Sequence, residues 1–336
     1  IKTFIGDFEW QVVTGRLEAS GFRPPAPDQA FGSTDLYFPK KDDWRYYQGL
    51  TFTYSPKWIE GLSLGFIRWV QMYGEFAKTN SDYFPVFDGL FRKNDKYGLT
   101  SDSLESERDQ GAGIFGRWVW QDAKTEIYGE LNYNDAKYNL RDLILDTGHA
   151  RAYTIGIHKV FQKTPTSKIY EFSWERTLMQ QTSSRLLRNA ASWYQHNTVR
   201  HGYTNNGEVL GAGIGPGSNS QYFEFALVDK LDKYSIAFEV IDQDNDFFMY
   251  AFEDAGDFRR YWKDFNVHFS IQKKIKNYWG RINVVYSRSL NYQWELDDYT
   301  DPYYHAGTDV NNLHVNFNLT YHFNSKKKYN LNKVYP

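Results

Sequence analysis

Apolar and polar side chains alternate residue by residue over runs of ten or more positions, from one end of the chain to the other. Side chains of an extended strand point to opposite faces with a period of two, so the pattern calls for β-strands with two unlike faces. The run 312–323 is the clearest case. Leu313, Val315, Phe317, Leu319, Tyr321 and Phe323 share one face, against Asn312, His314, Asn316, Asn318, Thr320 and His322 on the other. Twelve strands are predicted, at 8–18, 44–55, 62–74, 110–121, 125–134, 150–161, 168–177, 220–228, 234–242, 262–273, 278–290 and 312–323. There is no internal repeat and no convincing amphipathic helix, only a short helical turn expected near 84–91.

Alternation alone does not say which face meets water. A sandwich and a membrane barrel carry the same stripe, with the polar face outside in one and inside in the other. Strand length and the rhythm of the connections separate them. Globular strands are usually ~5–6 residues, whereas a tilted membrane strand needs ~9–11. Five connections are tight (56–61, 122–124, 162–167, 229–233 and 274–277) and alternate with six long ones (19–43, 76–109, 135–149, 178–219, 243–261 and 291–311). Outer-membrane barrels keep this beat, with brief periplasmic turns and larger extracellular loops. A Greek-key sandwich does not. The 27 Tyr, 25 Phe and 11 Trp fit the same reading, because Trp44, Trp58, Trp69, Trp118, Trp120, Trp262, Tyr278 and Trp279 gather near strand ends. Interfacial girdles place aromatics there.

The expected fold is therefore all-β: an antiparallel up-and-down transmembrane barrel in the bacterial outer membrane. Residues 1–324 form the barrel with its extracellular loops, and 325–336 a polar C-terminal tail in which Lys326 to Lys328 are solvated. Ile1 in place of an initiator methionine predicts a processed or incomplete chain. Zero cysteine removes disulfides, thiol catalysis and cysteine zinc sites. A net charge of −2 argues against a nucleic-acid partner, which is held by neutralising phosphates. No apolar run approaches the ~18 residues of a membrane helix.

The stretch 193–220, WYQHNTVRHGYTNNGEVLGAGIGPGSNS, resembles the Wzi-type capsule assembly proteins, and 139–153, NLRDLILDTGHARAY, is similar to the same family. The resemblance implies an outer-membrane barrel of about eighteen strands with a small helical N-terminal part, implicated in holding capsular polysaccharide at the cell surface. Twelve strands then correspond to part of a larger barrel, with an N-terminal portion absent.

The 178–219 connection is the expected site. Gly202, Gly207, Gly211, Gly213, Gly215, Gly217 and Pro216 describe a tightly turning loop. The run Gly211 to Gly217 is not a phosphate loop, since no Lys-Ser/Thr follows. Folded into the lumen, the loop would present Trp193, Tyr194, His196, Arg200, His201, Tyr203, Asn205 and Asn206 to a sugar. Sugar rings stack on aromatics, and hydroxyls pair with amides and charges. Arg141, Asp142, His149 and Arg151 of the 135–149 connection and its flank would add charge for uronate carboxylates or hydroxyls. The plainer reading is a constriction loop that only closes the barrel.

The polar strand face carries Glu126, Glu130, Glu171, Glu175, Glu224 and Glu239. Counting across the 162–167 turn sets His158 opposite Glu171 and Thr154 opposite Glu175. Arg117 falls opposite Tyr128, diagonal to Glu126 and Glu130. Paired carboxylates can hydrolyse glycosides, but lumen carboxylates beside Arg and His ordinarily fill a wide polar interior. His268 and Ser270 share a face, with Asn283 expected opposite His268, a phospholipase-like constellation. It faces the lumen instead of lipid. No histidine spacing suits a metal and no cofactor is expected. The function expected is a non-enzymatic, lectin-like barrel organising surface polysaccharide, with outer-membrane lipid and other envelope proteins as further partners. A phospholipase, a glycan hydrolase and a passive diffusion channel are the alternatives.

Overall fold

The computed structural model describes residues 2–23, 38–77, 83–87, 108–134, 139–164, 168–188, 190, 192–252, 256–297 and 307–323. Twelve long strands pair in chain order into one antiparallel sheet: β1 (Gly6–Leu17), β2 (Arg45–Pro56), β3 (Leu62–Tyr73), β4 (Arg108–Trp120), β5 (Thr125–Asn134), β6 (Arg151–Phe161) and β7 (Ile169–Leu178), then β10 (Asn219–Asp229), β11 (Asp232–Asp242), β12 (Lys263–Ile275), β13 (Tyr278–Leu290) and β14 (Val310–Tyr321). Each corresponds to an expected strand within a few residues. Two further strands, β8 (Thr204–Asn205) and β9 (Glu208–Val209), make a small separate hairpin. Among the described residues β1 and β14 are the free edges of the long sheet. The expected polar tail at 325–336 lies outside the described residues.

Two short helices were not expected. Leu140–Leu145 is capped by Asn139, whose side chain accepts from the Asp142 amide at 3.0 Å. Asn245–Phe252 is capped by Asp244, which accepts from Phe247 N at 3.0 Å. Six and eight residues supply too few turns for a clear 3.6 period, although Phe248, Ala251 and Phe252 are buried at helical spacing. Of the helical turn near 84–91, a 3₁₀ turn is described at Pro85–Phe87.

The faces follow the alternation. On β12, Phe265, Phe269 and Ile271 are exposed on the outward side, and Ile282 and Tyr286 of β13 continue that surface. A soluble sheet would bury such a face; the ring of lipid around a barrel does so instead. On the inward side, Asn266 of β12 donates to Glu239 of β11 at 3.0 Å, and Lys233 of β11 bridges Glu171 of β7 (3.1 Å) and Glu224 of β10 (3.2 Å).

Two expected registers were two residues out. His158 lies opposite Ser173 and Thr154 opposite Thr177, while Glu175 lies opposite Gly156 and Glu171 opposite Val160. Asn283 lies opposite Ser270, not His268. The cause is turn shape: β6 stops at Phe161 and β7 starts at Ile169, so the pairing axis is displaced from the middle of the expected loop. A slip of two keeps every side chain on its face. The Arg117–Tyr128 register stands, and Arg117 Nε reaches Glu126 at 2.6 Å.

Candidate functional site

The described residues of the 179–218 connection, which joins β7 to β10, fold across the concave face of the sheet instead of leaving it. The 193–210 stretch touches β2 and β3 as well as its own neighbours, four or more strands apart, so the sheet wraps around it. A buried arginine holds the far side. Arg45, at the start of β2, is fully buried; its Nη1 donates to Gly202 O (2.5 Å) and Gln71 Oε1 (3.1 Å). Its Nη2 donates to Thr204 O (2.7 Å) and Glu18 O (3.0 Å). Gln71 in turn donates to Gly202 O (2.9 Å) and to Asp109 Oδ2 (2.6 Å). One guanidinium fork thus joins three chain segments.

The near side is held by carboxylates of the β11–β12 connection. Asp246 accepts from Gln181 N and Ser192 Oγ, both at 2.9 Å, and Asn245 N donates to Gly217 O at 3.1 Å. Between the two anchors the backbone needs Gly202, at φ +62°, because a Cβ there would sit 1.7 Å from Tyr194 O. Asn206 and Gly207, both at positive φ, turn the β8–β9 hairpin as a type I′ pair does.

The expected site residues divide into three groups. Trp193, His201 and Tyr203 are framework. Trp193 is buried against Ala152 and Met179; Tyr203 lies between Trp69 (4.4 Å) and Tyr194 (5.9 Å, stacked), with its hydroxyl 3.0 Å from Tyr47. His201 Nδ1 lies 3.0 Å from the Tyr73 hydroxyl. His196 Nδ1 accepts from Thr198 N and Val199 N, and Asn205 Oδ1 accepts from Glu18 N at 2.9 Å, so both tie backbone. Arg200 and Asn206 are exposed, Arg200 over the Phe38 ring at 4.6 Å. In the neighbouring connection His149 is buried and Asp142 is paired bidentately with Arg188 at 2.5 and 3.2 Å. Arg141 is exposed on the helix, and Arg151 packs over Tyr153.

Beneath this roof lies a cavity of about 640 Å³, in the usual range for a ligand site. Trp193, Tyr194, Gly211 and Ala212 line it from the loop, Phe115, Tyr128, Glu130 and Glu175 from the wall. Tyr194 is fixed by Ala212 N donating to its hydroxyl (2.8 Å), and Tyr128 donates to Glu175 (2.6 Å). Trp193 Nε1 is buried without an acceptor among the described residues. Aromatic rings and carboxylate acceptors around one space suit a polyhydroxylated ligand. Arg45, Gln71, Asp109, Asp244 and Asp246 were not legible as site residues, because nothing local marks a residue whose partner lies on another segment: 157 positions away for Arg45, 131 for Gln71, and 54 and 65 for Asp246.

The phospholipase-like set does not assemble: Ser270 Oγ donates to Asn283 Oδ1 (2.6 Å), while His268 Nε2 lies 3.3 Å from Glu239. Among the described residues no cluster of three metal-ligating side chains occurs.

Groups beside the two anchors titrate in opposite senses. Burial, with Arg45 and Lys40 close by, holds the His201 imidazole at about 4. The unfolded loop therefore binds more protons between that value and the ordinary ~6.5, and the contribution of His201 is lost as pH falls through this window. Burial pushes the Asp244 carboxyl up to about 7, opposed by the Phe247 N–H and reinforced by Asp246. Its anchor is strongest at low pH and weakens as pH rises towards 7. Acidification from pH 7 to 4.5 is expected to lower amide protection factors at 200–204 and raise them at 244–248. Parallel changes at both ends would refute separate anchoring.

The capsule assembly protein Wzi family model matches residues 1–232. No curated protein matches the chain. Among solved structures, the chain is similar to Wzi of Escherichia coli, an outer-membrane protein involved in group 1 capsule assembly and described as a carbohydrate-binding β-barrel, at 14% identity and a TM-score of 0.50. That likeness covers 82% of this chain and 51% of the other, so the chain spans about half the length of the protein it matches, and it shows the fold of the curved sheet to be that of a β-barrel. With the model matched over more than two thirds of its length, the chain belongs to the capsule assembly protein Wzi family.

Proposed function

We propose that this protein is an outer-membrane barrel that holds capsular or related surface polysaccharide at the cell surface, without catalysing a reaction on it. The observation that carries the reading is the anchored roof over an aromatic and carboxylate-lined cavity. A sugar pays little ordering entropy on a surface already fixed at both ends, and gains from stacking and from rigid hydrogen-bond partners. Tyr194 offers a ring, Tyr128 and Phe115 face it from the wall, and buried Trp193 backs the cavity as framework. Exposed Arg141, Arg200 and Asn206 stand nearer solvent and suit carboxylates or hydroxyls of the same polymer. Lipid around the wall and other envelope proteins complete its surroundings.

Trp193→Ala combined with Tyr203→Ala is expected to release polysaccharide into the medium while the barrel still assembles, read by heat-modifiable migration. A doubly substituted protein that assembles in normal amounts and retains wild-type levels of polysaccharide would mean the loop serves only to close the barrel.

A further inference from the structure

Part of the long β3–β4 connection lies on the outside of the wall. On β2, Arg45 and Tyr47 face the inner loop, so the alternating Tyr46 and Gln48 face outward; on β3, Trp69 and Gln71 face inward and Arg68 outward. The outward three all bond to residues 83–86. Tyr46 Oη (2.9 Å) and Gln48 Nε2 (3.0 Å) donate to Tyr83 O, and Arg68 Nη1 donates to Val86 O at 3.3 Å. Gln48 Oε1 accepts from Val86 N at 3.4 Å, and Arg68 Nη2 donates to Gln110 Oε1 of β4 at 3.2 Å. Pro85 and Val86 are buried by this contact.

Arg68 lies midway along β3. At ~3.3 Å per residue and a tilt of ~35–45°, an apolar belt ~25 Å tall spans about ten residues of strand, so a twelve-residue strand cannot keep its middle out of the belt. On β12 the outward stripe Phe265, Val267, Phe269 and Ile271 is unbroken. On β2–β4 it is interrupted by Gln48, Arg68 and Gln110, yet Arg68 is only 4% exposed because the 83–87 segment covers it. Tyr83 packs edge-on against Tyr46 at 5.5 Å, but the other two rings of the cover turn away from the wall: Phe84 is 60% exposed and Phe87 64%.

We propose that residues 83–87 form an external flap that rebuilds the lipid-facing surface over this polar sector, with Phe84 and Phe87 inserted among the acyl chains of the surrounding membrane. The proposal rests on the outer-membrane reading but not on the glycan. Backbone carbonyls of the flap take the hydrogens that hydrocarbon could not, and its aromatic rings replace the apolar surface that Gln48 and Arg68 interrupt. The occupant follows from continuity with the exposed apolar side chains of the same face, Phe52 on β2 and Ile114 on β4.

The absence of cysteine makes a direct test available. Single variants Phe84→Cys, Phe87→Cys, Phe52→Cys, Ile114→Cys and Asp122→Cys of the whole chain carry a nitroxide label in phosphatidylcholine vesicles. The ratio of oxygen to nickel-chelate collision rates reports lipid against water. Labels at 84 and 87 are expected to match those at 52 and 114, several-fold above that at 122. Water-like ratios at 84 and 87, with 52 and 114 lipid-like, would overturn the flap. Water-like ratios at all five positions would overturn the membrane reading, and the flap with it.

Discussion

Arg45→Met is expected to release the inner loop and, with it, the polysaccharide. The guanidinium is fully buried and donates to three backbone carbonyls, Gly202, Thr204 and Glu18, and to Gln71. Methionine keeps much of the volume but leaves those acceptors without their donor, and breaking a buried charged network costs about 3–5 kcal/mol. The loss should be local, because the sheet's own ladder does not pass through Arg45 side-chain bonds. Amide protection at 200–206 should collapse and proteases cut there, while β12 and β13 stay protected. Retention of polysaccharide should fall with it. Unchanged protection at 200–206 would show that the Asp246 anchor alone fixes the loop.

Phe317→Arg is expected to impair assembly, and Asn316→Arg to be tolerated. The two residues are neighbours on β14, opposite Ile282 and Asn283 of β13, and differ only in the face they occupy. An arginine on the lipid face costs about 2–4 kcal/mol near the midplane, whereas a lumen position keeps its water. The readout is the folded fraction in membranes by heat-modifiable migration. Equal damage at both positions would refute the assignment of faces.

The same alternation that motivates this pair made the twelve long strands legible. Extended backbone throws successive side chains to opposite sides whatever lies around it, so Leu313 to Tyr321 and Asn312 to Thr320 separate without tertiary information. The tight turns were visible as breaks in that beat, and the signature at 193–220 pointed to the right family. Registers were less secure. Ser270 faces Asn283, and Thr154 faces Thr177, because the hydrogen bonds that close a turn, not its midpoint in sequence, choose the pairing axis.

The roles of individual loop residues required the folded sheet. Trp193 and Tyr203 look alike in sequence to any exposed sugar platform, yet curvature places Trp69, Tyr47 and Ala152 around them and turns them into framework. Arg45 reads as the ordinary polar start of a strand until Gly202 arrives from 157 residues away. Arg68 reads as a charge on the wrong face until Val86 covers it. Which atoms a side chain spans, faces or leaves alone is local and follows from the period of the strand. Which distant backbone comes to meet it depends on how far the sheet curls, a property of all twelve strands packed together and of no one of them.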